Sequence, residues 1–215
     1  MFKRVLLGLV TMTLLMPAAL LADENPTYSG PMSASETQFV QSIQADLGKR
    51  FPHASDAEAA GYLRYTDPDN TGAISYANRQ WTSQDIMHPS QLWYDKNGDL
   101  LGADFSVPNT DGKRPNLFGV NPGRWNEFDD HIHWVAKDPM TGKMEYDNWV
   151  MAPKWVAAGG DLKNPSADTL VKLGKVKAAS SVTAIFDFPT VWDLIVWTKP
   201  NPNGAFAEKN PNVKP

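Results

Sequence analysis

The chain has 215 residues, 20 basic against 24 acidic side chains, a formal net charge of −4, eight tryptophans and no cysteine. Zero cysteines exclude disulfides, thiolate metal ligands and a lipidated cysteine anchor. An acidic chain without a basic cluster is not expected to bind nucleic acid or anionic membrane surfaces. The composition is that of an ordinary globular protein, with no internal repeat or low-complexity tract, and the length suits one domain with a real core.

The first 22 residues read as an export signal. Lys3 and Arg4 form a basic start, residues 5–21 are nearly all apolar, and Ala22 precedes the acidic "DENP". The apolar run is short for a membrane span and carries Thr11 and Thr13, so removal is expected rather than anchoring. Cleavage there removes two basic residues and no acid, leaves no stable membrane span, and points to the periplasm or secretion.

Residues 23–34 form a polar, flexible lead. In "SASETQFVQSIQADLG" the Ser33/Glu36 pair spells a capping box, Phe39, Val40, Ile43 and Leu47 make one apolar stripe, and Gly48 supplies a stop, predicting a helix. "SDAEAAGY" predicts a second, with Ser55 and Glu58 as its box and Gly61 as its stop. The period then changes. "AISYANRQW" alternates, and "QLWYDKNGDLLGADFSV" reads as a hairpin turning tightly at Asn97-Gly98 in a type I′ turn. "DPDNTG" and "DKNGDL" lack the glycine and closing glutamate of calcium loops and read as turns.

Residues 108–121 form a loop, and Asn121-Pro122 starts a short helix burying Trp125 and Phe128. A second hairpin joins "HIHWVAK" to "KMEYDNWVM" through "DPMTG", and "NPSADTLVKLG" predicts another short helix. "SVTAIFDF" and "TVWDLIVWTK" are apolar enough for central strands buried on both faces, and residues 201–215 are C-terminal coil. Helices first and hairpin-linked strands after predict an α+β fold: a mostly antiparallel sheet with N-terminal helices packed on it, in a single domain over residues 35–200.

"FDDHIHWV" holds two of the four histidines. On a strand, residues i and i+2 share a face, so both imidazoles project together. With Lys137 opposite Lys143, His133 faces Asp147 and His131 faces Trp149, while Ile132, Trp134, Met144 and Tyr146 form the core side. Two imidazoles and a carboxylate suit zinc or another divalent transition metal, and His88 in "DIMHPS" is a further candidate ligand. The other reading is a solvated sheet face, or histidines in ordinary hydrogen bonds. A helical phase fits Trp125, Phe128, Ile132 and Val135 nearly as well, and would splay the two rings. No later histidine supplies the third ligand of a cupin or an alpha-carbonic anhydrase, and no nucleophile elbow, phosphate loop or dinucleotide fingerprint occurs. Trp149 is the tryptophan placed as a ligand-binding side chain; the rest read as core.

"DAEAAGY", "HPSQLWYDKNGDLLGADFSVP", "RPNLFGV" and "WDLIVWTKPNPNGAFAEKNPNV" together resemble a family of small exported bacterial proteins of unassigned function. The resemblance spans most of residues 56–213. It implies export and one compact domain, and supplies no catalytic residue. The chain departs from the family pattern at Ser75–Asn78, "SYAN" against "HYVN", and at 195–197, "IVW" against "HVW". Any site built on those histidines is missing here.

The leading functional expectation is an exported protein binding a small molecule or metal ion. The alternatives are a metal-dependent hydrolase or oxygenase at His131 and His133, and a structural or interaction module.

Overall fold

The computed structural model describes residues 28–69, 71–81 and 85–214. The expected export signal and the first part of the lead lie outside the described residues. Strands β1 (Leu63–Arg64), β2 (Ile74–Ala77), β3 (Gln91–Tyr94), β4 (Leu100–Pro108), β5 (Asn126–Phe128), β6 (His131–Lys137), β7 (Met144–Met151), β8 (Val182–Phe188) and β9 (Val191–Trp197) build two antiparallel sheets. The larger runs β1-β2-β3-β4-β9-β5 and the smaller β7-β6-β8. Helices α1 (Ala34–Arg50), α2 (Ala54–Ala59), α3 (Ala152–Ala157) and α4 (Ala167–Lys172) complete an α+β arrangement with mainly antiparallel sheet. Among the described residues no helix is long and apolar enough to cross a membrane.

Helix α1 starts where its capping box places it. Ser33 Oγ accepts from the Glu36 N–H at 3.2 Å and the Glu36 carboxylate accepts from the Ser33 N–H at 2.7 Å. Its stripe of Phe39, Val40, Ile43 and Leu47 packs with Phe105, Leu194 and Val196 on one face of the larger sheet. Burying a stripe of four such side chains is worth about 1.5–3 kcal/mol each before entropy is counted. Helix α2 starts two residues earlier than its serine suggests, with His53 rather than Ser55 as its cap, because the Asp56 carboxylate accepts from the His53 N–H at 3.0 Å.

Alternation on β4 and β9 gives the larger sheet two unlike faces. Ala103, Phe105, Val107, Trp192, Leu194 and Val196 look toward α1. Leu101, Ile195, Trp197 and Trp93 form a second cluster on the opposite face. The smaller sheet is likewise two-sided. Ile132, Trp134 and Val150 pack under Trp155 of α3 and Leu170 of α4, whereas Val135 and Phe186 pack against Tyr65 and Ala77 of the larger sheet.

Several expectations are corrected. The β3–β4 turn is not type I′, since Gly98 (φ 82) has positive φ and Asn97 does not. Asp95 Oδ1 instead accepts from the Asn97 and Asp99 N–H groups at 2.8 and 3.0 Å, which organises a longer turn. The helix at Pro122 is a single 3-10 turn, and Phe128 belongs to β5. Strand β9 is buried throughout, but β8 is an edge strand and only Phe186 in it is fully buried. Sequence gives β8 an apolar run and cannot say that only one neighbour pairs with it. The C-terminal segment is coil by backbone, yet Phe206 enters the core beside α1 and Ala207 accepts from the Trp197 indole N–H at 2.6 Å.

One ion pair ties α1 to the far end of the larger sheet. Arg124 Nε lies 3.1 Å from Glu36 Oε1, and both side chains are almost fully buried. Burial alone would raise the Glu36 carboxyl, but hydrogen bonds from Arg124, Ser33 and Asn121 outweigh it and leave it below its ordinary 4.5. Its stabilising contribution is therefore complete above that value and is lost as pH falls through the lower folded one. Glu36→Ala leaves a buried guanidinium unpaired and is expected to cost about 3–5 kcal/mol in urea unfolding at pH 7. The difference from the parent should shrink on approaching pH 3 (~3, below the ordinary carboxyl value). A pH-independent difference would remove the pair from the account.

Candidate functional site

Strand β6 is extended, so His131 and His133 do project to one side, and both are buried. Their Nε2 atoms are 3.0 Å apart. His131 Nδ1 lies 2.5 Å from the Asp129 carbonyl oxygen and His133 Nδ1 3.2 Å from that of Asn148. The face expected to be wet is covered by aromatic rings. Tyr65 meets the His133 ring edge-on at 4.7 Å, and Phe186 and Phe188 lie over His133 and His131 at 5.5 and 5.0 Å. Desolvation pulls both imidazoles below the usual histidine range, His133 to about 3, helped there by the neighbouring His131.

The expected cross-strand partners are wrong by two residues. Lys137 pairs with Met144, His133 with Trp149 and His131 with Met151. One step comes from the turn, in which the Asp138 N–H donates to Lys143 O at 2.8 Å. The other comes from a bulge opposite Val135, where Asp147 takes a left-handed φ of 59. An even shift keeps the histidines on their face but carries Asp147 away from His133. Asp147 instead donates its N–H to the Tyr65 carbonyl at 2.9 Å and reaches a different cavity. His88 is engaged by Asp85 at 2.5 Å and by the Trp81 ring. Trp149 stands 6.5 Å from the His131 ring. Among the described residues, no three histidine, aspartate or glutamate side chains gather closely enough to hold a metal. The four-ligand set His131, His133, Asp147 and His88 is not assembled.

A different constellation lies between the sheets. A cavity of about 520 Å³ is lined by Trp93, Trp197, Gln91, Asp104, Asp147, Asp69 and Glu208 among others, with Lys209 as the one cation among the described residues of its lining. Asp104 sits in β4 and Asp193 in β9, both on the face turned away from α1. Each is buried, and Asp104 Oδ1 and Asp193 Oδ1 have no protein partner. Burial, and then the nearby Asp193 carboxyl, push Asp104 well above the carboxylate range against a hydrogen bond from Trp93. Burial lifts Asp193 to about 7 despite a hydrogen bond from Ser106. Asp147 at the rim is also raised, by burial and by Asp67 and Asp69. Gly102 is required here, since a Cβ would fall 2.7 Å from the Val196 carbonyl and 3.1 Å from the Trp93 ring. Ser75 and Ile195, where the chain departs from the family pattern it resembles, both line this cavity.

The cavity was missed in sequence, although a signal was present. Asp104 and Asp193 are each the single charged residue of their strands, and the strand of Asp193 is expected from sequence to be buried on both faces. A carboxyl in such a place is neutral, paired or liganded. Comparison of the chain with protein-family models, with curated proteins and with solved structures gives no match.

Asp193 yields a direct test. Its folded carboxyl titrates near 7 against an ordinary 3.8, so between those values the native state holds the extra proton and stability falls as pH rises. Asp193→Asn is expected to make that limb shallower, the remainder coming from Asp104 and Asp187, whose carboxyls are also raised by burial, and to gain on the order of 1–3 kcal/mol at alkaline pH in urea unfolding. An Asp193→Asn variant whose pH slope equals that of the parent would show the carboxyl to be ionised in the fold.

Proposed function

We propose that this is an exported binding protein that takes a small organic cation into the cavity between its two sheets. The observation that carries the reading is Asp104: a buried carboxyl on the cavity wall with one oxygen unpartnered, beside the indole of Trp93. Among the described lining residues four carboxyls, Asp69, Asp104, Asp147 and Glu208, stand against one ammonium, Lys209. That balance favours positive charge, and indole faces add cation–π attraction of about 0.5–2 kcal/mol. The volume, about 520 Å³, is that of a small-ligand site. Export is supported by the basic, apolar and acidic order of the first residues.

The binding chemistry follows from the protonated wall. A ligand ammonium stabilises the ionised form of Asp104, so its carboxyl proton leaves as the cation enters. Affinity therefore rises with pH until Asp104 is ionised in the empty protein.

Calorimetric titration with primary amines, quaternary ammonium ions and neutral sugars tests this. An amine or ammonium is expected to bind with release of a proton, read from the buffer dependence of the heat. Asp104→Asn and Trp93→Ala should each weaken binding about tenfold or more, equivalent to about 1.4 kcal/mol. Binding of sugars in preference to cations, or an Asp104→Asn variant with parental affinity, would overturn the reading.

A further inference from the structure

We propose that His131 and His133 hold a single cuprous ion between their Nε2 atoms, with the Met151 thioether as third donor. The site is separate from the cavity above, whose lining includes neither histidine nor Met151, and the proposal does not depend on the cationic-ligand reading.

The two Nδ1 atoms fix where the ring protons sit. A carbonyl oxygen only accepts, so the Asp129 and Asn148 carbonyls at 2.5 and 3.2 Å each call for a proton on the Nδ1 they face. A neutral imidazole carries one N–H. With both protons spent on Nδ1, both Nε2 atoms present lone pairs, and they meet at 3.0 Å. Two facing lone pairs repel unless a cation lies between them. An imidazole whose remote N–H is fixed by a backbone carbonyl is also the usual form of a metal-bound histidine. Metal–nitrogen bonds of about 2.0 Å place two nitrogens of one centre about 3 to 3.5 Å apart, so the rings need part only slightly.

The surroundings select the ion. The ladder puts Met151 directly across from His131 and on its face, and thioether with imidazole favours Cu(I) among biological metals. Among the described residues no third histidine or carboxylate is close enough to complete a set for a divalent ion. The pocket wall is aromatic, formed by Tyr65, Phe186 and Phe188. Burying a dication among neutral ligands there costs far more than burying a monocation. Asp129 and Asp130 add a field that favours positive charge at His131.

The test is an anaerobic titration of the full chain with Cu(I) in competition with bicinchoninate, followed by X-ray absorption at the copper edge. One copper per chain is expected, with two imidazole nitrogens and one sulfur as neighbours. His133→Gln should lower affinity by at least about 100-fold and Met151→Leu by about tenfold with loss of the sulfur signal. His88→Ala, which alters a histidine held by Asp85, should match the parent. No competition by the parent protein, meaning only a proton lies between the rings, would overturn the proposal. So would preferential uptake of zinc, or a copper spectrum lacking imidazole, and both are read on the parent protein even where a variant fails to fold. A folded His133→Gln variant with parental affinity would overturn it equally.

Discussion

Tyr65 joins the two sheets, and the rest of the arrangement depends on that joint. Its carbonyl accepts from Asp147 on β7, its hydroxyl bonds to Gln91 on β3, and its ring packs on His133 and Phe186 of the smaller sheet. A residue following a two-residue edge strand thus contacts both sheets by backbone, hydroxyl and ring. Its phenol is fully buried, and that burial together with the Asp104, Asp193 and Asp147 carboxyls pushes its ionisation upward, keeping it a neutral donor. A neutral phenol between an acid pair and an imidazole pair lets both polar groups stay buried without meeting.

The bulge on β7 is the other half of the joint. Asp147 takes positive φ so that its N–H leaves the ladder and turns to Tyr65. The adjacent Asn148 carbonyl faces His133 Nδ1. One irregularity therefore docks the sheets, orients one imidazole and delivers a carboxyl to the cavity rim. Bulges commonly re-aim side chains in this way, and the local loss of ladder bonds is offset by the contacts they permit.

Unlike faces explain why polar groups accumulate between the sheets. The α1 side of the larger sheet buries aliphatic and aromatic side chains alone, apart from the satisfied Glu36–Arg124 pair at its end. The inner side carries Asp104, Asp193, Ser106 and Gln91, all buried. Replacing such carboxyls with apolar groups of similar size would remove desolvation costs of several kcal/mol. Stability therefore gives no reason for acids at these positions, and the proposed cation site would supply one.

The sequence alone determined the local elements whose signals are local: the α1 cap and stripe and the apolar runs of β4 and β9; for β6 it left a helical phase open beside the extended one that turns His131 and His133 the same way. Those follow from capping chemistry and from periods of 3.6 and 2, which need no distant partner. Tertiary structure decided the β6–β7 register, because a bulge of one residue leaves no mark in composition. It also decided that β8 lies at an edge, that the histidine face is covered by Tyr65 and Phe186 rather than water, and that Asp104 meets Asp193 across two strands distant in sequence. Each of these depends on which surface packs against which, a matter settled by long-range burial and not by any single segment.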